Sequence, residues 1–224
     1  MQTTAYTLVI GDKNYSSWSM RPWLLLRHFA LAFEEVRIGL RRPETRTAIL
    51  AHSPSGKVPA LKTPDGVICE SLAIAEYLAE THPDAGLWPW DRAARARARS
   101  VACEMHAGFG QLRELMPMDC AARLDAPALD DALVRDITRV TAIWADCRRN
   151  APGGAFLFGA FGIADAMFGP VATRFQTYGV SLAEFGDDGR AADYCAALLD
   201  LPAMKGWFAD AAAEEAARTA PFGQ

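Results

Sequence analysis

The first eighty residues alternate short apolar runs with stretches of helical periodicity. The runs with the length and alternation of strands are residues 7–10, 33–38, 58–63 and 67–69. The turn Pro64-Asp65-Gly66 separates the last two and is typical of a β-hairpin. The predicted helices are residues 19–31, part of 41–55, and 71–81. The predicted order is therefore β-α-β-α-β-β-α.

Beyond residue 82 the pattern becomes helical throughout. A segment rich in proline and tryptophan, residues 83–92, precedes this second region. The predicted helices are residues 92–115, 129–149, 164–178 and 191–217. We therefore expect an α/β domain followed by an all-α domain.

Composition narrows the class of protein. Of 224 residues, 51% are hydrophobic and 22% charged, so the chain can bury a sizeable core. The net charge of −4 argues against a nucleic-acid partner. The N-terminus lacks signal-peptide features, and no apolar run approaches the roughly 20 residues that cross a bilayer. We expect a cytoplasmic protein without a membrane partner.

The cysteines and histidines do not predict a metal site. Four histidines are present, none with metal-ligand spacing, and the five cysteines are scattered without a C-x-x-C pair. The cysteines are Cys69, Cys103, Cys120, Cys147 and Cys195. We expect reduced thiols and no metal.

Two dipeptides place polar groups where a ligand can use them. Val58-Pro59 directly precedes the hairpin. Because proline cannot donate a ladder hydrogen bond, the Val58 backbone is free to pair with a ligand, and a cis bond would fix it facing outward. Glu70-Ser71 directly precedes a helix. Ser71, also the expected N-cap, suits a carboxylate, while Glu70 can pair with an ammonium group. Together they predict a receptor for an amino acid's zwitterionic end beside an extended peptide backbone.

These dipeptides, within this order of elements, resemble the glutathione transferases. The resemblance implies a thioredoxin-like, glutathione-binding domain at residues 1–82, a linker at 83–92, and an all-helical domain at 93–224 that supplies the electrophile pocket. Family members usually dimerise. We therefore expect a homodimer whose other partners are glutathione, as co-substrate, and a small electrophilic molecule.

The same resemblance implies roles for the dipeptide residues. Lys57, Val58 and Pro59 are expected to face the cysteinyl backbone of glutathione. Glu70 and Ser71 are expected to bind its γ-glutamyl end. These five residues form the predicted glutathione site, with the loop before the first helix completing it.

That loop, Tyr15-Ser16-Ser17-Trp18-Ser19-Met20-Arg21, is similar to the Ser-Ser-Cys-Ser-x-Arg loop of the zeta class. With Arg21 as the anchor, Ser16 falls on the serine that activates the glutathione thiol. A hydroxyl that donates to sulfur at a helix N-terminus stabilises the thiolate, which is the nucleophile. Ser17 is the alternative.

Other loop residues receive lesser roles. Tyr15 is a more distant candidate for thiol activation, and Ser19 is expected to cap the helix. Ser17 and Trp18 are expected to border glutathione. Trp18 stands where the zeta class has cysteine, and its bulk should narrow the electrophile side of the site. Because the loop contains no cysteine, the sequence argues against reduction of a substrate through a protein cysteine.

The second domain also carries marks of the family. Arg174, in Ala172-Thr173-Arg174-Phe175, resembles a zeta-class arginine that binds the substrate carboxylate, and a surface or interdomain salt bridge is the alternative. Gln111, Arg113 and Met116 are further predicted pocket residues.

A capping element precedes the same helix. Gly162-Ile163-Ala164-Asp165 resembles the family's Ser/Thr-Ile-Ala-Asp, with glycine in place of the hydroxyl residue. Asp165 is expected to accept from the preceding backbone, a structural role.

The resemblance implies an enzyme that conjugates glutathione to a small electrophile, or isomerises the electrophile through glutathione. A maleylacetoacetate-isomerase-like activity is a narrower alternative, which requires arginines such as Arg174 to face the thiol. Trp18 counts against it. A glutathione- or ligand-binding module or scaffold without catalysis is the alternative from another class.

Overall fold

A four-stranded mixed sheet forms the first part of the molecule. The computed structural model describes residues 6–219. The strands are β1 (Tyr6–Gly11), β2 (Phe33–Ile38), β3 (Ala60–Thr63) and β4 (Gly66–Cys69), in the order β2-β1-β3-β4. β1 runs parallel to β2 and antiparallel to β3, which pairs with β4 as the predicted hairpin.

Both faces of this sheet are covered because its central strands are apolar on both sides. Leu8 and Leu61 are fully buried in the main core, whereas Val9 and Ala60 belong to a smaller cluster on the other face. The helices of this part are α1 (Ser17–His28), α2 (Thr45–Leu50) and α3 (Ser71–Thr81). This arrangement confirms the predicted βαβαββα fold class.

The remaining elements are helical. They are α4 (Arg92–Ala107), α5 (Gly110–Leu115), α6 (Asp131–Arg149), α7 (Ile163–Thr177), α8 (Arg190–Asp200) and α9 (Pro202–Thr219). α7 is buried along nearly its whole length and packs on α1 and α4. One continuous core therefore joins the helical half to the sheet. Within residues 6–219, none of the helices has the length and apolarity that a bilayer span requires.

Two long predicted helices are each divided in the structure. Residues 92–115 are interrupted at Gly108 and Phe109, and Phe109 has a left-handed φ of 63°. A Cβ on Gly108 would lie 2.8 Å from the Glu104 carbonyl oxygen, so the chain turns where a side chain does not fit. Residues 191–217 divide before Pro202, which has no N–H to continue a helix and begins α9 instead.

The predicted helix caps also differ. α1 begins two residues earlier than expected, so Ser16 holds the N-cap position and Ser19 lies inside the helix. At α3, Glu70 rather than Ser71 is the N-cap, because its carboxylate accepts from the Leu72 N–H at 3.1 Å. β3 begins at Ala60, later than predicted.

The capping role of Asp165 at α7 is confirmed. Its carboxylate accepts from the Gly162 N–H at 2.8 Å and from the Leu157 N–H at 3.0 Å. Asp165 is almost fully buried. It therefore ties the start of α7 to the preceding loop.

Candidate active site

A cavity of about 590 Å³ lies beside the cis Val58-Pro59 bond. Its lining residues are Trp18, Ser55, Lys57, Val58, Pro59, Cys69, Glu70 and His106. Five of these belong to the predicted glutathione site. The structure thus brings together at one cavity residues from the serine loop (residues 15–21), from the segment that enters the hairpin and from the start of α3. Helix α4 adds His106.

The backbone at Val58 is available to a ligand. Across residues 6–219, neither its N–H nor its C=O makes a hydrogen bond, because β3 begins two residues later. Unpaired backbone groups at the edge of a cavity can bind an extended peptide as an added strand does. This edge fits the backbone of a short peptide.

The Glu70-Ser71 pair presents a carboxylate at the start of a helix. Glu70 has a strained φ of 89°, and its side chain is 47% exposed. The Ser71 hydroxyl, which is buried, donates to Glu70 Oε1 at 3.3 Å. Glu70 can therefore pair with an ammonium group while the N-terminus of α3 attracts a carboxylate.

His106 is a cavity residue that the sequence analysis missed. Its Nε2 lies 3.5 Å from Glu70 Oε2, and its ring meets that of Trp18 edge-on at 5.5 Å. Its Nδ1 is buried without a hydrogen-bond partner in the described part of the chain. Only the packing of α4 against the sheet domain places it here, so no local motif could have indicated it.

The predicted activating serines directly precede the cavity residue Trp18 in the chain, although neither lines the cavity. Ser16 is 5% exposed, and its hydroxyl donates to Ser19 Oγ at 2.7 Å. Ser17 begins α1, and its hydroxyl makes no hydrogen bond within residues 6–219. Tyr15 is turned away: its hydroxyl donates to Glu215 at 2.9 Å and accepts from Arg218 at 3.0 Å. Both serines lie at the N-terminus of α1.

The segment before Ser16 is held by the helical half. The Asn14 side chain donates to Asp119 at 2.9 Å and accepts from the Ala121 N–H at 2.8 Å. The Lys13 ammonium, 4% exposed, contacts Asp210 of α9 at 2.6 Å and Glu35 of β2 at 2.9 Å. The position of the serine loop therefore depends on residues more than a hundred positions away.

Three arginines form a cationic cluster, and two of them lie against Trp18. Arg21 and Arg113 lie 4.2 and 4.8 Å from the Trp18 ring centroid. Arg21 is 1% exposed, and its Nε, Nη1 and Nη2 have no acceptor within the described residues. Burial, followed by repulsion from Arg113 and Arg174, holds the pKa of Arg21 well below its ordinary value. An unpaired buried guanidinium among like charges favours an anion.

The other predicted pocket residues are mostly interior. Arg174 donates from Nε to the Met116 carbonyl and from Nη1 to the Pro170 carbonyl, each at 2.8 Å. It makes no ion pair within residues 6–219, which contradicts the salt-bridge alternative. Burial lowers its pKa to about 10. Met116 is fully buried and Gln111 half-buried, and none of the three lines the cavity.

Metal ligation finds no support in this geometry. Within residues 6–219, no group of three or more His, Cys, Asp or Glu side chains is placed to hold an ion. All five cysteines are free, and Cys69 is the one that lines the cavity. The cavity and its surroundings offer the Cys69 thiol, the His106 imidazole and the Lys57 ammonium besides hydroxyls, a carboxylate and guanidinium groups.

Comparison with known proteins identifies the class. Residues 15–81 match the family model for the glutathione S-transferase N-terminal domain. A crystal structure of a glutathione transferase homolog from Burkholderia, with bound glutathione, has a TM-score of 0.66 at 22% identity and covers 92% of this chain and 97% of that one. The chain therefore has the glutathione transferase fold.

Curated relatives agree with this class. A probable maleylacetoacetate isomerase from Caenorhabditis elegans is 34% identical over 110 residues, which are 49% of this chain and 50% of that protein. A glutathione S-transferase from Pseudomonas putida is 29% identical over 149 residues, 65% of this chain and 64% of that protein. The matches thus span half to under two thirds of these relatives. Residues 15–81 are thus similar to the N-terminal domain of glutathione S-transferases.

Proposed function

We propose that the protein binds glutathione, stabilises its thiolate and directs it at a small electrophile that carries a carboxylate, as in maleylacetoacetate isomerisation. The cavity, the unpaired Val58 backbone and the Glu70-Ser71 pair support the glutathione part. The relatives named as isomerases support the reaction type. The observation that carries the substrate class is the unpaired, buried Arg21 beside Arg113.

The residues present fit glutathione group by group. Val58 offers its backbone to the cysteinyl unit, and Glu70 pairs with the γ-glutamyl ammonium. The N-terminus of α3 suits the γ-glutamyl carboxylate, to which the Ser71 hydroxyl would have to turn from Glu70. Lys57, exposed at the cavity rim, suits the second carboxylate of the tripeptide. When bound, glutathione supplies a thiolate that can add reversibly to an activated double bond, which permits isomerisation.

The protein's own part in the reaction is electrostatic. Ser16 donates to the sulfur at the N-terminus of α1, which stabilises negative charge. Arg21 and Arg113 bind the substrate carboxylate and hold the electrophilic carbon near the sulfur. Because Arg21 is almost fully buried, the side chains around it must move for the carboxylate to reach it.

The substitution Arg21→Met tests the substrate class. Replacing a buried, unpaired charge with an apolar side chain should leave the free energy of unfolding unchanged or raise it by about 1–2 kcal/mol. The same change should lower kcat/KM for maleylacetoacetate about 100-fold, because a charged hydrogen-bonding partner of the carboxylate is lost. Urea unfolding and steady-state kinetics measure the two effects.

The control is Arg135→Met, which removes an exposed arginine from α6 and should change neither quantity. An uncharged halogenated aromatic serves as the second electrophile. If Arg21→Met lowers turnover of both electrophiles equally, the cluster does not recognise a carboxylate. Conjugation to an uncharged electrophile, the second candidate function suggested by the Pseudomonas putida relative, would then be favoured.

Glutathione binding itself separates an enzyme from a scaffold. Isothermal titration of the protein with glutathione should give binding, and its absence would favour the scaffold alternative. The homodimer and the cytoplasmic location stay predictions, which light scattering after size exclusion and cell fractionation can test.

A further inference from the structure

A pair of hydroxyls lies behind the serine loop. Ser19, in the first turns of α1, is fully buried. Its Oγ accepts from the Ser16 hydroxyl at 2.7 Å and from the Gly11 N–H at 3.1 Å. The proton of Ser19 has no acceptor within the described residues. In this state Ser16 directs its proton inward, away from any ligand.

We propose that Ser19 is a positioning residue that reverses this hydrogen bond when the glutathione thiolate is bound. Ser19 then donates to Ser16, and the Ser16 hydroxyl turns outward to donate to sulfur. This inference rests on the proposed function. The reversal needs only rotation about two C–O bonds, no covalent bond in the protein changes, and the thiol proton passes to solvent.

The first donor of this hydrogen-bond series, the Gly11 N–H, belongs to the sheet. Gly11 ends β1 and pairs with Ile38 of β2, so its N–H holds Ser19 Oγ in one position. The resulting order is Gly11 N–H to Ser19, Ser19 to Ser16, and Ser16 to sulfur. Hydrogen bonds in series polarise one another, so each hydroxyl becomes a better donor than it would be alone. The hydroxyl of Ser17 has no such support in the structure.

The test is a pH titration of enzyme-bound glutathione, in which ultraviolet absorbance reports the thiolate without turnover. Ser16→Ala should raise the pKa of the bound thiol by about 1–2 units, and Ser19→Ala by about 0.5–1 unit, which is roughly three- to tenfold less thiolate below the pKa. In the double variant, loss of Ser19 should add nothing further, because its effect passes through Ser16. Glutathione affinity, from calorimetry, should change less than about threefold in both.

Thr141→Ala is the matched control, since it removes another buried helix hydroxyl, bonded to the Ile137 carbonyl, and should leave the thiol pKa unchanged. Should Ser19→Ala not fold, Ser19→Cys keeps a weak donor and should give an intermediate thiol pKa. Additive shifts in the double variant, or no shift in either Ser19 variant, would overturn the inference. A shift from Ser17→Ala instead of Ser16→Ala would overturn it as well. Loss of glutathione binding by the unaltered protein would instead contradict the proposed function.

Discussion

Two groups of residues near Trp18, the cavity side and the arginine side, are assembled in different ways. On the cavity side, Val58-Pro59 and Glu70-Ser71 flank a single hairpin, so neighbouring strands bring them together. The arginine side consists of Arg21, Arg113 and Arg174, which come from α1, α5 and α7. Only the packing of the helical half on the sheet domain unites these three.

The two sides also differ in how their charges are satisfied. Glu70 is 47% exposed and accepts a hydrogen bond from the Leu72 N–H, so its charge is solvated and costs little free energy in the unliganded protein. Arg21 is buried without an acceptor and is repelled by two other arginines. Of the two sides, the arginine side is the one that carries an unfavourable buried charge. We infer that the cavity side binds a constant co-substrate, whereas the arginine side selects what reacts with it.

The largest effect is expected where the helical half holds the serine loop. Asp119→Ala leaves the Asn14 amide and the Ala122 N–H without the carboxylate oxygen that accepts from both, at 2.9 and 3.2 Å. The free energy of unfolding should fall by about 2–4 kcal/mol, since a buried donor loses its partner. kcat should fall as well, because the loop carries Ser16. Urea unfolding and kinetics at saturating glutathione measure both effects.

Asp125→Ala is the control for this change, because Asp125 is exposed in the same connection between α5 and α6. It should alter stability by less than about 0.5 kcal/mol. Equal kcat per folded molecule in Asp119→Ala and the unaltered protein would show that the helical half stabilises the serine loop without positioning it.

A second effect concerns a buried charge of α7. Burial raises the pKa of Asp165 from 3.8 to about 6, against the lowering effect of its two backbone N–H donors. Between these values the folded chain keeps a proton that the unfolded chain has lost. The contribution of this proton to the free energy of unfolding is therefore fully present below about pH 4. It is lost as the pH rises through about 6, and the total change is about 3 kcal/mol.

Unfolding by urea at a series of pH values measures this contribution. Asp165→Asn should be less stable overall and should lack this pH-dependent part, whereas exposed Asp193→Asn should retain it. A pH dependence that survives in Asp165→Asn would assign the titration to another group, and α7 would then contribute packing alone.

The sequence could predict that residues of the cavity side lie together because its information there is local, whereas their role in binding glutathione stays a prediction. The hairpin turn, Pro59 and the start of α3 lie within a short segment, and each has a distinct conformational preference. The sequence did not predict His106, the inward bond of Ser16, or the unpaired state of Arg21. Each depends on contacts between elements far apart in the chain, such as α4 with the sheet domain, for which no spacing rule exists. Pro202 and Gly108 could have indicated the two helix breaks, but the helical periodicity continues across both residues.

The smallest effect should come from the cavity side, and it should be one of affinity alone. Glu70→Gln keeps an oxygen that can accept from the Leu72 N–H but removes the charge that would pair with the γ-glutamyl ammonium. The Kd for glutathione should rise about 10- to 100-fold, with stability unchanged within about 0.5 kcal/mol and kcat unchanged at saturation. Exposed Glu80→Gln on the same helix is the control.

A glutathione analogue without the α-amino group makes this prediction specific. The unaltered protein should bind the analogue as weakly as Glu70→Gln binds glutathione, and the substitution should not weaken analogue binding further. If Glu70→Gln weakens both ligands to the same extent, Glu70 acts through the conformation of the loop. The strained φ of 89° at this residue would then be its contribution, and the cavity side would depend on geometry as strongly as the arginine side does.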